Sequence, residues 1–119
     1  MLLVAVLHFL ITDDDSPRDA VREITAALAP GSYLADSHVT ADHVTASAAV
    51  TARGVCASAS APVTARTRAQ VTRMFDGLEL VDPGVCDVSA WHPEIPPARP
   101  RGDPPPAGGY IHGGVAVKR

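Results

Sequence analysis

The chain begins with its longest apolar run, MLLVAVLHFLI, interrupted only by His8 and followed after Thr12 by three aspartates at 13–15. A run this continuous does not alternate, so it does not describe a strand with one wet face. It describes a strand buried on both faces, as in parallel sheets covered by helices. The expected strand spans Leu2 to Leu10. The run is too short for a membrane-spanning helix, which needs about 20 apolar residues. A secretory signal would carry a basic start and a small-residue cleavage site. Here Leu2 follows Met1 directly and the downstream flank is acidic.

The period then changes. In DSPRDAVREITAALAPG, Ser16 suits a helix cap, Pro17 suits the first helical position, and Asp19 completes an S-x-x-D capping box. Val21, Ile24 and Leu28 form an apolar stripe, and Pro30-Gly31 stops the helix. A second strand is expected over Ser32 to Ser37. Strand, helix, strand is a βαβ unit, whose two strands pair in parallel through a right-handed crossover.

Residues 41–61 mix Ala, Ser, Thr and Val and predict only a weak helix or an ordered loop. Clear signals return in TRAQVTRMFDG. Thr67 and Gln70 make a T-x-x-Q capping box, and Gly77 is a helix stop. Val71, Met74, Phe75 and Leu78 share one face and predict core packing. Arg66 and Arg68 stand near the start of this helix, where a cation gains nothing from the dipole, and are expected in solvent. A strand near Leu78 to Asp82, a Pro-Gly turn and a further extended piece at Val85–Val88 follow. The segment HPEIPPARPRGDPPPAGG is too rich in proline for regular structure. The chain then closes on YIHGGVAVKR, whose strand near Ile111 to Val117 is expected to insert antiparallel beside Ser32–Ser37, with the Leu78–Asp82 strand outside it.

Composition adds limits. At 119 residues there is room for one domain or part of one. A net charge of -3 gives no basic patch for nucleic acid. Cys56 and Cys86 lack a C-x-x-C spacing and fit reduced thiols in the cytoplasm. His38 and His43 flank Asp36 and Asp42, but the spacing matches no zinc pattern, so no metal is expected. Asp13 to Asp15 suit the start of a helix as solvated charge.

Several stretches carry a family resemblance. LLVAVLHFLITDDDSPRDAVREITAALAPGSYLADSH resembles the fourth strand, following helix and fifth strand of class I, Rossmann-like S-adenosylmethionine-dependent methyltransferases common in actinobacteria. APVTARTRAQVTRMFDGLELVDPGV, the W-x-P at Trp91 to Pro93 and the final GGVAVKR continue the match over nearly the whole chain. The implied fold is α/β: the C-terminal half of a methyltransferase sheet over residues 1–119, with a Pro-rich loop at 93–109 within it. Two parallel strands would be joined by an antiparallel edge pair and flanking helices.

Family members carry a glycine-rich loop after their first strand and an acidic residue after the second, for the cofactor and its ribose. No G-x-G occurs in this chain. The first residues are therefore expected to be a central strand without one neighbour, open to pairing with a second copy. Cofactor binding by these residues alone is doubtful on the same ground.

By resemblance, the backbone of Val6, Leu7 and His8 would lie under the methionine part of S-adenosylmethionine. His8 or His38 would face an unknown small-molecule methyl acceptor and act as a base, since imidazole titrates near neutral pH. A structural histidine closing a buried strand is the alternative for His8. Two other readings stay open at the level of the whole chain: a non-catalytic remnant, and an interaction module displaying its Pro-rich loop. The Arg101–Asp103 tripeptide and a polyproline II ligand role are bland linker features by comparison.

Overall fold

The computed structural model describes residues 1–10, 16–43, 45, 47, 50, 54, 60–91 and 111–119. The segment 93–109, Cys56 and most of 41–61 lie outside them, as do Asp13 to Asp15. Seven regular elements matter here. Strand β1 spans Leu2–Val4, helix α1 Ser16–Ala26, β2 Tyr33–Val39, α2 Arg68–Arg73, β3 Glu79–Leu80, β4 Cys86–Asp87 and β5 Ile111–Val117. The strands form one mixed sheet in the order β1-β2-β5-β3, with β4 also pairing β5.

The βαβ unit is present. β1 runs parallel to β2 in the register Leu2↔Ala35, Leu3↔Asp36, Val4↔Ser37. β5 runs antiparallel to β2 over seven residues, from Tyr33↔Val117 to Val39↔Ile111. β3 lies outside β5, with Leu80 opposite Ala116. Strand order and directions agree with the sequence.

The extent of the strands does not. β1 ends at Val4 instead of Leu10. Ala5 takes a left-handed conformation (φ +53), and residues 7–9 wind into one 3₁₀ turn. A left-handed alanine has no local sequence signal. It is held from outside: the Ala5 N–H donates to the backbone oxygen of Ser37 at 3.1 Å and to Ser37 Oγ at 3.0 Å. Nor is β1 buried on both faces. Leu2 is 73% exposed and Val4 60% exposed. Among the described residues the only strand that β1 pairs with is β2. β2 starts one residue later and ends two residues later than expected. β3 is shorter than 78–82, although the Val81 N–H still donates to Val115 O at 2.8 Å.

The second helix follows its local signals, whereas α1 includes Ser16 instead of being capped by it and ends at Ala26, ahead of Pro30-Gly31. At α2, the Gln70 N–H donates to Thr67 Oγ1 (3.2 Å), and the Thr67 N–H donates to Gln70 Oε1 (2.8 Å). Gly77 supplies the left-handed turn after it (φ +85). At the far end of α1, Lys118 Nζ donates to the carbonyls of Thr25, Ala26 and Leu28 at 2.8, 3.0 and 2.7 Å. A cation there satisfies orphan carbonyls and suits the dipole.

One face of the sheet carries the core. Leu34, Asp36 and His38 of β2 face it, opposite Ala116, Gly114 and His112 of β5. Val21 of α1 and Val71, Met74 and Phe75 of the α2 region pack there with Leu7, Val85 and Ala116. Gly114 has a steric reason: an added Cβ would sit 3.0 Å from Val85 Cγ2 and 3.2 Å from two ring carbons of Phe75. Phe75 is buried on all sides, so it cannot yield cheaply. Gly114→Ala is expected to lower unfolding free energy by about 1–3 kcal/mol in urea denaturation. An unchanged or raised midpoint would show that the Phe75 layer is loosely packed.

Candidate functional site

In open α/β sheets a ligand lies beyond the carboxyl ends of the parallel strands. β1 and β2 end there in Val4 and Val39, and the polar residues of the chain gather beside them. The single turn after β1 places three of the expected residues differently. Val6 is exposed, Leu7 belongs to the core, and His8 is buried.

His8 and His38 are brought together, with ring centroids 5.7 Å apart and edge to face. His38 is fully enclosed, at 0% exposure. Its Nδ1 lies 2.8 Å from Val39 O, and its Nε2 lies 2.9 Å from Nη1 of Arg66. Only one tautomer serves both contacts: Nδ1–H donates to the carbonyl, and the Nε2 lone pair accepts from the guanidinium. Burial above all, and then the Arg66 charge against a carbonyl's opposing pull, brings its pKa down to about 4. His38 is a neutral imidazole with both nitrogens engaged.

His8 has a looser fit. Its carbonyl accepts from the Thr64 N–H at 2.8 Å, while its buried Nδ1 has no hydrogen-bond partner among the described residues. Burial and the Arg66 charge lower its pKa. A buried nitrogen with no partner is costly unless a ligand completes it.

Arg66 corrects the expectation of a solvated side chain: it is 5% exposed. Beyond His38 it donates to Leu7 O (3.4 Å) and Leu10 O (2.8 Å), and its own N–H donates to Val39 O (3.1 Å). One side chain thus ties the turn after β1 to the end of β2. Sequence alone hid this. Its acceptors lie 28, 56 and 59 residues away, and it stands before an ordinary capping box.

A second group lies across the β2·β5 pair. His112 faces His38, and its Nε2 is 3.2 Å from Asp42 Oδ2. Asp42 also accepts from the Arg68 N–H at 2.8 Å. Burial pushes the Asp42 carboxyl up, but the Arg68 amide and the His112 contact outweigh it, and its pKa is lowered. The His43 ring stands 5.9 Å from that of His112. Asp36, two residues before His38 on the same face, is 3% exposed, and neither carboxyl oxygen has a partner in hydrogen-bond geometry among the described residues. Burial pushes its pKa up to about 7, against the opposing pull of the Ser37 amide. Asp36, Asp42, His38 and His43 do not converge. Among the described residues no cluster of three His, Cys, Asp or Glu could hold a metal ion.

The opposite face of the sheet carries an open hollow of about 610 Å³, lined by Val4, Ala5, Ser37, Val88, Trp91 and Ile111 among others. It is apolar and holds none of the candidate histidines. Among the described residues no helix is long and apolar enough to cross a membrane.

A parallel strand pair with polar residues at its carboxyl ends, closed on one side by an antiparallel β5, has the architecture of part of a Rossmann-like methyltransferase sheet. The comparisons agree. The sequence pattern of the S-adenosyl methyltransferase family matches residues 1–119, and the chain belongs to that family. It is similar to the crystal structure of a DUF574 family protein from Streptomyces avermitilis, at 35% identity and a TM-score of 0.79. It is also similar to a candidate methyltransferase from Thermobifida fusca, at 27% identity and a TM-score of 0.71. Each likeness covers 99% of this chain but 43% of the other. No curated protein matches the chain.

Proposed function

We propose that these residues form the C-terminal, acceptor-side part of an S-adenosylmethionine-dependent methyltransferase acting on a small molecule. The observation that carries this is the His8 ring: a buried, unpartnered nitrogen at the carboxyl end of the parallel pair, in a chain that matches the family throughout. The residues present fit one wall of such a site. The cofactor, when bound, supplies an electrophilic methyl carbon on a sulfonium. The chain's part is to place the acceptor in line with that carbon and to take its proton. Alignment supplies most of the rate for an acceptor that is already nucleophilic. For a hydroxyl or amine acceptor, the leaving proton passes to His8 Nδ1, whose lone pair is free while burial and Arg66 keep the ring neutral. His38 supports that ring and takes no proton. With the cofactor bound, the acceptor–methyl bond would form as the methyl–sulfur bond breaks, the electron pair remaining on sulfur and the acceptor's proton going to His8.

The glycine-rich loop and the ribose-binding acid have no counterpart in the 119 residues. Several hydrogen bonds of about 1 kcal/mol or more are therefore missing, enough to remove most of a micromolar affinity. Calorimetry with S-adenosylmethionine is expected to show no micromolar binding to the 119-residue polypeptide. A fusion to the part of the Streptomyces avermitilis relative that this chain does not cover should bind. A fusion that folds but does not bind would favour the non-catalytic remnant. Micromolar binding by the chain alone would mean that the cofactor contacts lie elsewhere than supposed.

A further inference from the structure

We propose that Arg66 is a positioning residue of this site: its buried guanidinium fixes the turn Leu7–Leu10 against the end of β2, selects the tautomer of His38, and so sets the place of the His8 ring. The inference rests on the methyltransferase reading only for what the site is for. The geometry stands by itself.

Three separate contacts converge on one side chain. Nη2 holds the last carbonyl of the 3₁₀ turn at Leu10, Nη1 reaches Leu7 O, and Nη1 also meets His38 Nε2 at 2.9 Å. The backbone of the same residue is anchored to Val39. A planar fork can satisfy such a spread of acceptors, whereas an ammonium at the end of a flexible stem cannot. His8 lies inside the bridged turn, with Leu7 on one side and Phe9 on the other, and its own carbonyl is held by Thr64. Its ring has little freedom left: it packs on Phe9 at 4.5 Å and edge-on against His38 at 5.7 Å.

The groups that bear on the two rings come from every neighbouring element. Arg66 comes from the segment before α2, and His8 from the turn after β1. Asp36 stands on β2 beside His38, and His112 stands opposite it on β5. Of these, Arg66 carries a permanent positive charge, and it favours neutral imidazoles around it.

The test uses ¹⁵N-histidine NMR on the 119-residue chain and needs neither cofactor nor acceptor, so it is independent of the binding experiment above. In the unmodified chain, His38 should appear as the Nδ1–H tautomer, unprotonated at Nε2, with no titration between pH 5.5 and 8. An imidazolium or an Nε2–H ring at pH 7 would overturn the proposal without any variant. In Arg66→Met, His38 should lose its single tautomer, and the His8 and His38 midpoints should rise by about one pH unit or more. In Arg66→Lys, the charge remains but the fork is lost. Its midpoints should stay low while the Leu10 carbonyl is released, which Leu10 and Ile11 amide shifts will report. If either folded variant keeps the wild-type tautomer, midpoints and amide shifts together, Arg66 is a packing residue and the proposal fails.

Discussion

Replacing Asp36 by valine is expected to stabilise the fold by about 4 kcal/mol at pH 8 and by little near pH 4. An unfolded Asp36 loses its proton near its ordinary 3.8, and the folded one near 7. Between those values folding takes up a proton, so this residue lowers stability as pH rises, and above 7 it bears the full cost of a buried carboxylate. Valine removes the carboxyl and suits a strand facing Leu3 and Gly114. Asp36→Asn should reproduce much of the effect, because it mimics the protonated acid.

His38 has the opposite sign. Its folded pKa of about 4 lies below the ordinary 6.5, so its contribution is present above 6.5 and is lost as pH falls toward 4. Over pH 4 to 6.5 the Asp36 slope opposes those of His38 and His8, so the unmodified chain should show a shallower rise with pH than either Asp36 variant. Urea midpoints measured from pH 4 to 8 decide the matter. With Asp36 replaced, stability should climb with pH through that window. Identical profiles for the wild type and both variants would show that Asp36 is not buried as an acid.

The second large effect concerns β1. Leu2 and Val4 are mostly exposed, one edge of the strand has no partner among the described residues, and residues 1–10 carry no charged side chain. Natural edge strands are guarded by lysine, proline or bulges. We expect the 119-residue polypeptide to dimerise or associate further through this edge, which light scattering after size exclusion will show. Val4→Lys should weaken the association at least about tenfold, equivalent to about 1.4 kcal/mol. A monomeric wild type with a cooperative thermal melt would mean that the half-exposed strand is self-sufficient.

How far these features were legible depends on what each residue answers to. The βαβ order, the Thr67–Gln70 box and the Gly77 stop are local, and local chemistry predicted them. The place of β5 between β2 and β3 followed from the βαβ unit and the resemblance, and the observed strand order agrees with it. The length of β1 was not legible, because apolarity cannot distinguish a strand from a turn that buries Leu7. The left-handed Ala5 is imposed by Ser37, 32 residues away. The burial of Arg66 and the placing of His112 were not legible for the same reason: their partners, carbonyls, the His38 ring and an aspartate, are brought near only by the fold. Asp36 offered a faint signal. It falls between Leu34 and His38 on the buried phase of β2, where a carboxyl is out of place.

The position of β5 also governs the order in which the molecule can be made. Residues 111–117 supply neighbours to β2, β3 and β4 at once. On a ribosome, residues 33–39 emerge long before the strand that pairs with their whole length. Until then β2 can pair only with β1, and its other edge stays open. Contacts this distant in sequence form slowly. During synthesis that edge is a template for pairing with other chains, and a premature stop before residue 111 leaves it open for good.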